Sequence, residues 1–146
     1  WMDPEAADVV LRSGLPLTMC GLDVTHQALV TKEIFQRLEA MGTGVSKTII
    51  GLLKFFAKTY DEVFEMPDPP LHDPVAVALL INRNVVKTKK VNVQVELTGS
   101  LTRGATVVDL HNKLGESANC EVALELDFSV FWDLMLDAIE KSAITK

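Results

Sequence analysis

Cysteine is scarce in this chain, occurring only at Cys20 and Cys120. Each lies in an apolar, strand-like run, so the two read as small buried hydrophobes and not as a disulfide framework or a metal-binding set. Clustered basic charge is also lacking. Lysines and arginines are scattered apart from Lys87-Thr88-Lys89-Lys90, and the formal net charge is −6. With no basic stripe there is no electrostatic footprint for a phosphate backbone, and nucleic acid is excluded as the expected partner. Long hydrophobic runs are missing too. The longest, Val75 to Ile81, is far too short to span a bilayer, and the first residues lack the basic-then-apolar layout of a signal peptide. The expected location is therefore the cytoplasm, with no membrane partner. Internal repeats and low-complexity tracts are absent.

What remains has the balance of a chain that folds. Its 146 residues are 48% hydrophobic and 23% charged, close to ordinary globular usage, and their number suits one domain better than two. Asp3-Pro4-Glu5 opens a first helix, with Asp3 suited to the N-cap, Pro4 to the first helical position and Glu5 to the positive end of the dipole. That helix starts with almost nothing ahead of it.

After a turn at Gly14-Leu15-Pro16, the spacing predicts a buried strand from Leu17 to Val24, apolar except for Thr18 and Asp23. Such strands belong to sheets covered on both faces, where Asp23 needs a partner. Thr25 or Thr31 caps a helix that ends at Gly42-Thr43-Gly44, and His26 reads as a structural residue helping to start it. A long helix follows from Val45 to Glu65, with Ile49, Leu52, Leu53, Phe56, Tyr60, Val63 and Phe64 on one apolar stripe. Met66-Pro67-Asp68-Pro69-Pro70 is necessarily non-helical, and His72-Asp73-Pro74 then opens a short apolar helix to Ile81.

The last third changes character. Val91 to Leu97 alternates apolar and polar residues as a half-exposed strand does, with the lysines just before it read as its solvated entry. Thr98-Gly99-Ser100 is a turn, and Ala105–Leu110 and Cys120–Leu126 are two more strands joined by a polar loop from Asn112 to Asn119. A closing amphipathic helix runs through Trp132, Leu136 and Ile139. The pattern is α/β with an antiparallel or mixed strand set appended. It contains fewer βα units than a complete doubly wound domain.

Candidate chemistry concentrates at His72-Asp73-Pro74. Aspartate before proline is an ordinary helix start, and Asp3-Pro4 and Asp68-Pro69 repeat the dipeptide, so a structural role for Asp73 stands open. Against it, a proline-stiffened loop delivers an imidazole and a carboxylate side by side to the start of an apolar helix, a place where ligand sites form.

The segment Pro70-Leu71-His72-Asp73-Pro74-Val75-Ala76-Val77-Ala78 resembles the carboxyl-terminal active-site segment of the inosine-uridine-preferring nucleoside hydrolases. The likeness continues through Asp3-Pro4-Glu5-Ala6-Ala7, Leu15-Pro16-Leu17-Thr18-Met19, Gly21-Leu22-Asp23-Val24-Thr25-His26, Gly99-Ser100-Leu101-Thr102-Arg103-Gly104 and Thr106-Val107-Val108-Asp109.

This resemblance implies a single partial domain over residues 1–146, the carboxyl-terminal half of a nucleoside hydrolase. Its fold would be an incomplete portion of a Rossmann-type sheet with the appended strands. It also implies the chemistry: cleavage of the N-glycosidic bond of purine or pyrimidine ribonucleosides, with calcium as cofactor. By resemblance Asp73 is a calcium ligand, His72 is the catalytic and substrate-contacting residue, and Tyr60 is an aromatic that closes over the base. On spacing alone Tyr60 reads first as a stripe residue of its helix.

The family's Asp-x-Asp-Pro-Gly-x-Asp-Asp motif and its Glu-Phe-Asn motif do not occur in this sequence. The expectation is therefore a chain inactive in isolation. The alternative is a non-catalytic interaction module that self-associates or pairs with an amino-terminal half. Purine or pyrimidine preference depends on pocket residues from both halves.

Overall fold

The computed structural model describes residues 1–143. The chain divides into two compact units, one of Trp1–Gly21 with Thr88–Leu124 and the other of Leu22–Lys87 with Glu125–Lys146. Among the described residues no helix is long and apolar enough to cross a membrane.

The first unit carries a four-stranded mixed sheet in the order β1-β4-β2-β3, with β1 Thr18–Met19, β2 Val86–Val95, β3 Thr106–Asp109 and β4 Cys120–Leu126. β1 runs parallel to β4, pairing Thr18 with Glu121, while β3 runs antiparallel to β2 from Asn92↔Asp109 to Val95↔Thr106. The alternation expected along β2 is present: Val91, Val93 and Val95 are buried, and Gln94 faces out. Val91, Val93, Cys120 and Val122 form the core of this unit, with Leu11, Leu17 and Met19 packed against it. The strand reaches further back than expected, so the Lys87–Lys90 run lies within β2 and not before it. Both cysteines are free thiols; Cys120 is buried and Cys20 half-buried.

Helix α1, Pro4–Leu11, starts as its sequence dictates, with the Asp3 carboxylate accepting from Ala6 N at 2.9 Å. The polar stretch before β4 is more than a loop. The Asn119 amide accepts from Val93 N (2.8 Å) and donates to Val93 O (2.9 Å) and Leu11 O (3.2 Å), so one side chain ties β2 to the end of α1.

The expected strand Leu17–Val24 is corrected to two residues, Thr18–Met19, followed by a single helical turn, α2 Leu22–Thr25. The physical reason is Asp23. Extended, it would carry a carboxylate into a buried strand; in the first turn of α2 it is exposed, while Val24 and Thr25 turn inward. Thr25 therefore ends a helix instead of capping the next one.

Around α2 the second unit is helical. α3, Lys32–Met41, has Thr31 at its N-cap position and ends on Gly42 in the left-handed conformation (φ 64°). α4, Gly44–Phe64, is capped by Thr43 and packs on α3 and on α6, Phe128–Ser142. At about 1.5 Å per residue α4 is twice as long as α3, and its apolar stripe is only partly covered. Leu53 is buried and Ile49, Phe56 and Tyr60 are half-buried, but Leu52, Val63 and Phe64 are exposed. The residues expected on one stripe are covered only along the middle of the helix.

The same is true of α5, Asp73–Ile81, where Val75, Ala78 and Leu79 are buried while Val77, Leu80 and Ile81 are exposed, Leu80 to 87%. The core of this unit is Val24, Val30, Leu38, Val75, Phe131 and Trp132.

Candidate functional site

The proline loop is fixed at both ends. α4 stops at Glu65, whose backbone is left-handed (φ 55°), and two buried prolines, Pro69 and Pro70, follow. Their backbone pairs with the segment after α2: Val30 N donates to Pro69 O and Leu71 N donates to Ala28 O, both at 3.0 Å, around an antiparallel bridge between Leu29 and Pro70. The indole of Trp132, only 1% exposed, donates to Leu29 O at 3.1 Å and holds this bridge from α6. His72 is delivered to the N-cap position of α5 by a strap pinned on three sides.

At that position the imidazole is gripped at both nitrogens. Nδ1 lies 2.8 Å from the hydroxyl of Thr25, and Nε2 lies 2.7 Å from the hydroxyl of Tyr60 on α4. A neutral imidazole has one donor and one acceptor, so the two hydroxyls take opposite roles. The ring of His26 stands 5.3 Å from that of His72, and Tyr60 is flanked along α4 by Phe56 (4.7 Å) and Phe64 (4.9 Å). Burial pushes the His72 pKa below its ordinary value, and neighbouring His26 pushes the same way. Asp73 opposes the shift without cancelling it.

His72 and Tyr60, singled out in the sequence separately, are thus brought together. Thr25 and His26 join them unexpectedly. Thr25 had looked like a cap and His26 like the start of α3; the one local hint was that they are adjacent, just after Gly21. Asp73 is the first residue of α5 and is exposed. The N-cap place belongs to His72, which makes no side-chain cap bond.

Calcium takes about six to eight oxygen ligands. Among the described residues no group of three or more His, Cys, Asp or Glu side chains is arranged to hold a metal. Asp73 offers one carboxylate beside an imidazole, which suits calcium poorly, so these residues do not by themselves fit the ion. A cavity of about 670 Å³ does open in the first unit, lined by Lys89, Lys90, Asn92, Asp109 and His111. It shares no residue with the His72 cluster.

Residues 1–133 match the family model described as inosine-uridine preferring nucleoside hydrolase. The chain belongs to that family. It is 42% identical to the inosine-uridine preferring nucleoside hydrolase of Crithidia fasciculata over 140 residues, covering 96% of this chain and 44% of that protein. It is also 41% identical over 140 residues to a pyrimidine-specific ribonucleoside hydrolase of a Shewanella species, covering 95% and 44%.

Among solved structures, the purine-preferring ribonucleoside hydrolase of Gardnerella vaginalis superposes with a TM-score of 0.81 at 33% identity, over 96% of this chain and 44% of that one. The chain therefore spans a little under half the length of the nucleoside hydrolases it matches, and its mixed α/β fold corresponds to part of theirs.

Proposed function

We propose that this chain supplies the leaving-group side of a nucleoside hydrolase site. The observation that supports this best is His72 held by hydroxyls at both ring nitrogens on a pinned strap, with Asp73 next to it and exposed. Cleaving an N-glycosidic bond sends the bonding electrons to the base and leaves cationic character on the sugar. A fixed imidazole N–H answers the first need by donating to the departing ring as its charge grows. With its pKa lowered, His72 is neutral at neutral pH and acts through one N–H. Tyr60 is the aromatic that covers the base, and His72 and Tyr60 together contact the nucleoside.

Asp73 would serve as one oxygen ligand of calcium, the cofactor that the resemblance implies, only in a site that supplies the remaining ligands and a carboxylate to activate water, which these residues do not provide. By itself the chain binds a ribonucleoside weakly and does not turn it over. Inosine and uridine hydrolysis by the purified chain, with calcium present, tests this. The expected result is no turnover above background, while nucleoside still shifts the His72 and Tyr60 resonances. Turnover that disappears in His72→Ala overturns the inactivity, and resonances unmoved by nucleoside overturn the site.

A second reading, as an interaction module, is favoured by the exposed apolar residues of α4 and α5, Leu52, Val63 and Phe64 on the one and Val77, Leu80 and Ile81 on the other. Under it the chain self-associates or pairs with a complementary hydrolase segment. A strictly monomeric species at high concentration by size-exclusion chromatography argues against self-association.

A further inference from the structure

We infer that Thr25 is a positioning residue for His72: its hydroxyl donates to Nδ1, so that Nε2 carries the hydrogen and is the nitrogen turned toward Tyr60 and a bound nucleoside. The inference rests on the reading of His72 as the donor to the leaving base. It adds a residue outside the His72–Asp73 segment and fixes the imidazole tautomer.

Two hydroxyls reach His72, and they differ in what holds them. Thr25 is 3% exposed, follows the fully buried Val24, and is β-branched, so its single side-chain torsion is restricted and its oxygen has little freedom to lose. Its backbone is tied as well, since Ala28 N donates to Thr25 O at 3.0 Å and Ala28 O accepts from Leu71 N at 3.0 Å. Thr25 and His72 therefore hang from opposite sides of one backbone bridge, and the 2.8 Å contact between them is set by it.

Tyr60 reaches Nε2 from the end of a long side chain near the carboxyl end of α4, where Val63 and Phe64 are exposed. It is the movable partner, and a nucleoside can take its place at Nε2 without releasing the ring. The roles then follow from the donor count. If Nε2 is to give a hydrogen to the base, Nδ1 of the neutral ring must accept, and Thr25 is the group beside it that can donate.

The experiment reads the ring nitrogens directly and needs no turnover. In the full chain, long-range proton–nitrogen spectra of His72 at neutral pH are expected to give two well-separated nitrogen resonances, with Nδ1 bare and Nε2 protonated. Thr25→Val keeps the shape and removes the hydroxyl, and is expected to move the two resonances toward a common averaged position. Thr25→Ser is expected to restore their separation, which a merely space-filling role would not require. Tyr60→Phe is expected to leave the separation in place.

A protonated Nδ1 in the unsubstituted chain overturns the inference, as does a separation that survives Thr25→Val. Backbone amide spectra of each variant identify any loss of fold, and Thr25→Ser carries the test if Thr25→Val unfolds. Failure of the hydrolase reading shows itself separately, as ring resonances that ignore added inosine or uridine.

Discussion

Replacing Trp132 by phenylalanine removes the side-chain link between α6 and the strap that carries His72. The indole is buried and its Nε1 donates to Leu29 O at 3.1 Å, in the middle of the segment bridged to Pro69–Leu71. Two costs add. Withdrawing the donor from a part-buried carbonyl costs about 1–3 kcal/mol, and the void left by the smaller ring costs about 1 kcal/mol, because the surroundings relax only partly. The expected loss is therefore about 2–4 kcal/mol, against a total stability of about 5–15 kcal/mol for an ordinary domain. Urea unfolding followed by circular dichroism measures it as a lowered midpoint at unchanged slope. The strap should loosen with it, so the separated His72 ring resonances should broaden in the variant. A midpoint shift worth less than about 0.5 kcal/mol, the range of an ordinary surface change, refutes the assignment of Trp132 as the anchor.

Three other substitutions probe the fold in the same way. Asn119→Ala deletes three hydrogen bonds that join β2 to α1; it is expected to cost about 2–4 kcal/mol, and denaturant unfolding that shows under 1 kcal/mol contradicts the staple. Glu96 accepts from Thr98 N, Gly99 N and the Thr98 hydroxyl, which hold its pKa below the usual carboxylate value. The unfolded chain takes up the proton first as pH falls, so this stabilisation is complete above the unfolded value of about 4.3 and fades as pH drops through the folded one. Melting temperatures of the chain and of Glu96→Gln should accordingly converge as pH falls through the lowered folded value, and a gap independent of pH denies the charge a role. Leu80→Glu, at a position 87% exposed, should leave stability within about 0.5 kcal/mol and reduce any self-association seen by size-exclusion chromatography; an unchanged elution profile removes α5 from the association surface.

How much of this could be read in advance depended on range. β4 runs from Cys120 to Leu126 as its pattern predicts, α5 starts where Asp73-Pro74 places it, and α6 carries Trp132, Leu136 and Ile139 as expected. These are elements whose periodicity and caps lie within a few residues. The strand expected at Leu17–Val24 failed because apolar runs of that length fit a strand or a buried helical turn equally well, and a carboxylate at Asp23 decides between them only when burial is known.

Thr25 and Asn119 were illegible for a different reason. Each acts on a partner far away in sequence, His72 and Leu11 respectively, and a local reading assigns such residues to caps and loops. The partial cover of the α4 stripe was not legible either, since periodicity states which residues share a face and not whether anything covers it.

The magnitudes also limit what the His72 cluster can do alone. A positioned general acid contributes about 10²–10⁴-fold, whereas enzymes reach about 10⁶-fold and beyond by adding electrostatic stabilisation, positioning and an activated nucleophile. On the proposed reading His72 would supply the acid and Tyr60 the aromatic cover, and Asp73 would be the one carboxylate beside them; it is exposed to water, where a unit charge at 4 Å is worth about 1 kcal/mol. A preparation of this chain that accelerates hydrolysis by more than about 10⁴-fold must therefore be drawing on groups beyond His72, Tyr60 and Asp73, and His72→Ala would still leave it a large residual rate. A rate below that ceiling that falls to background in His72→Ala would overturn the expected inactivity and show that the chain works by itself with His72 as its acid.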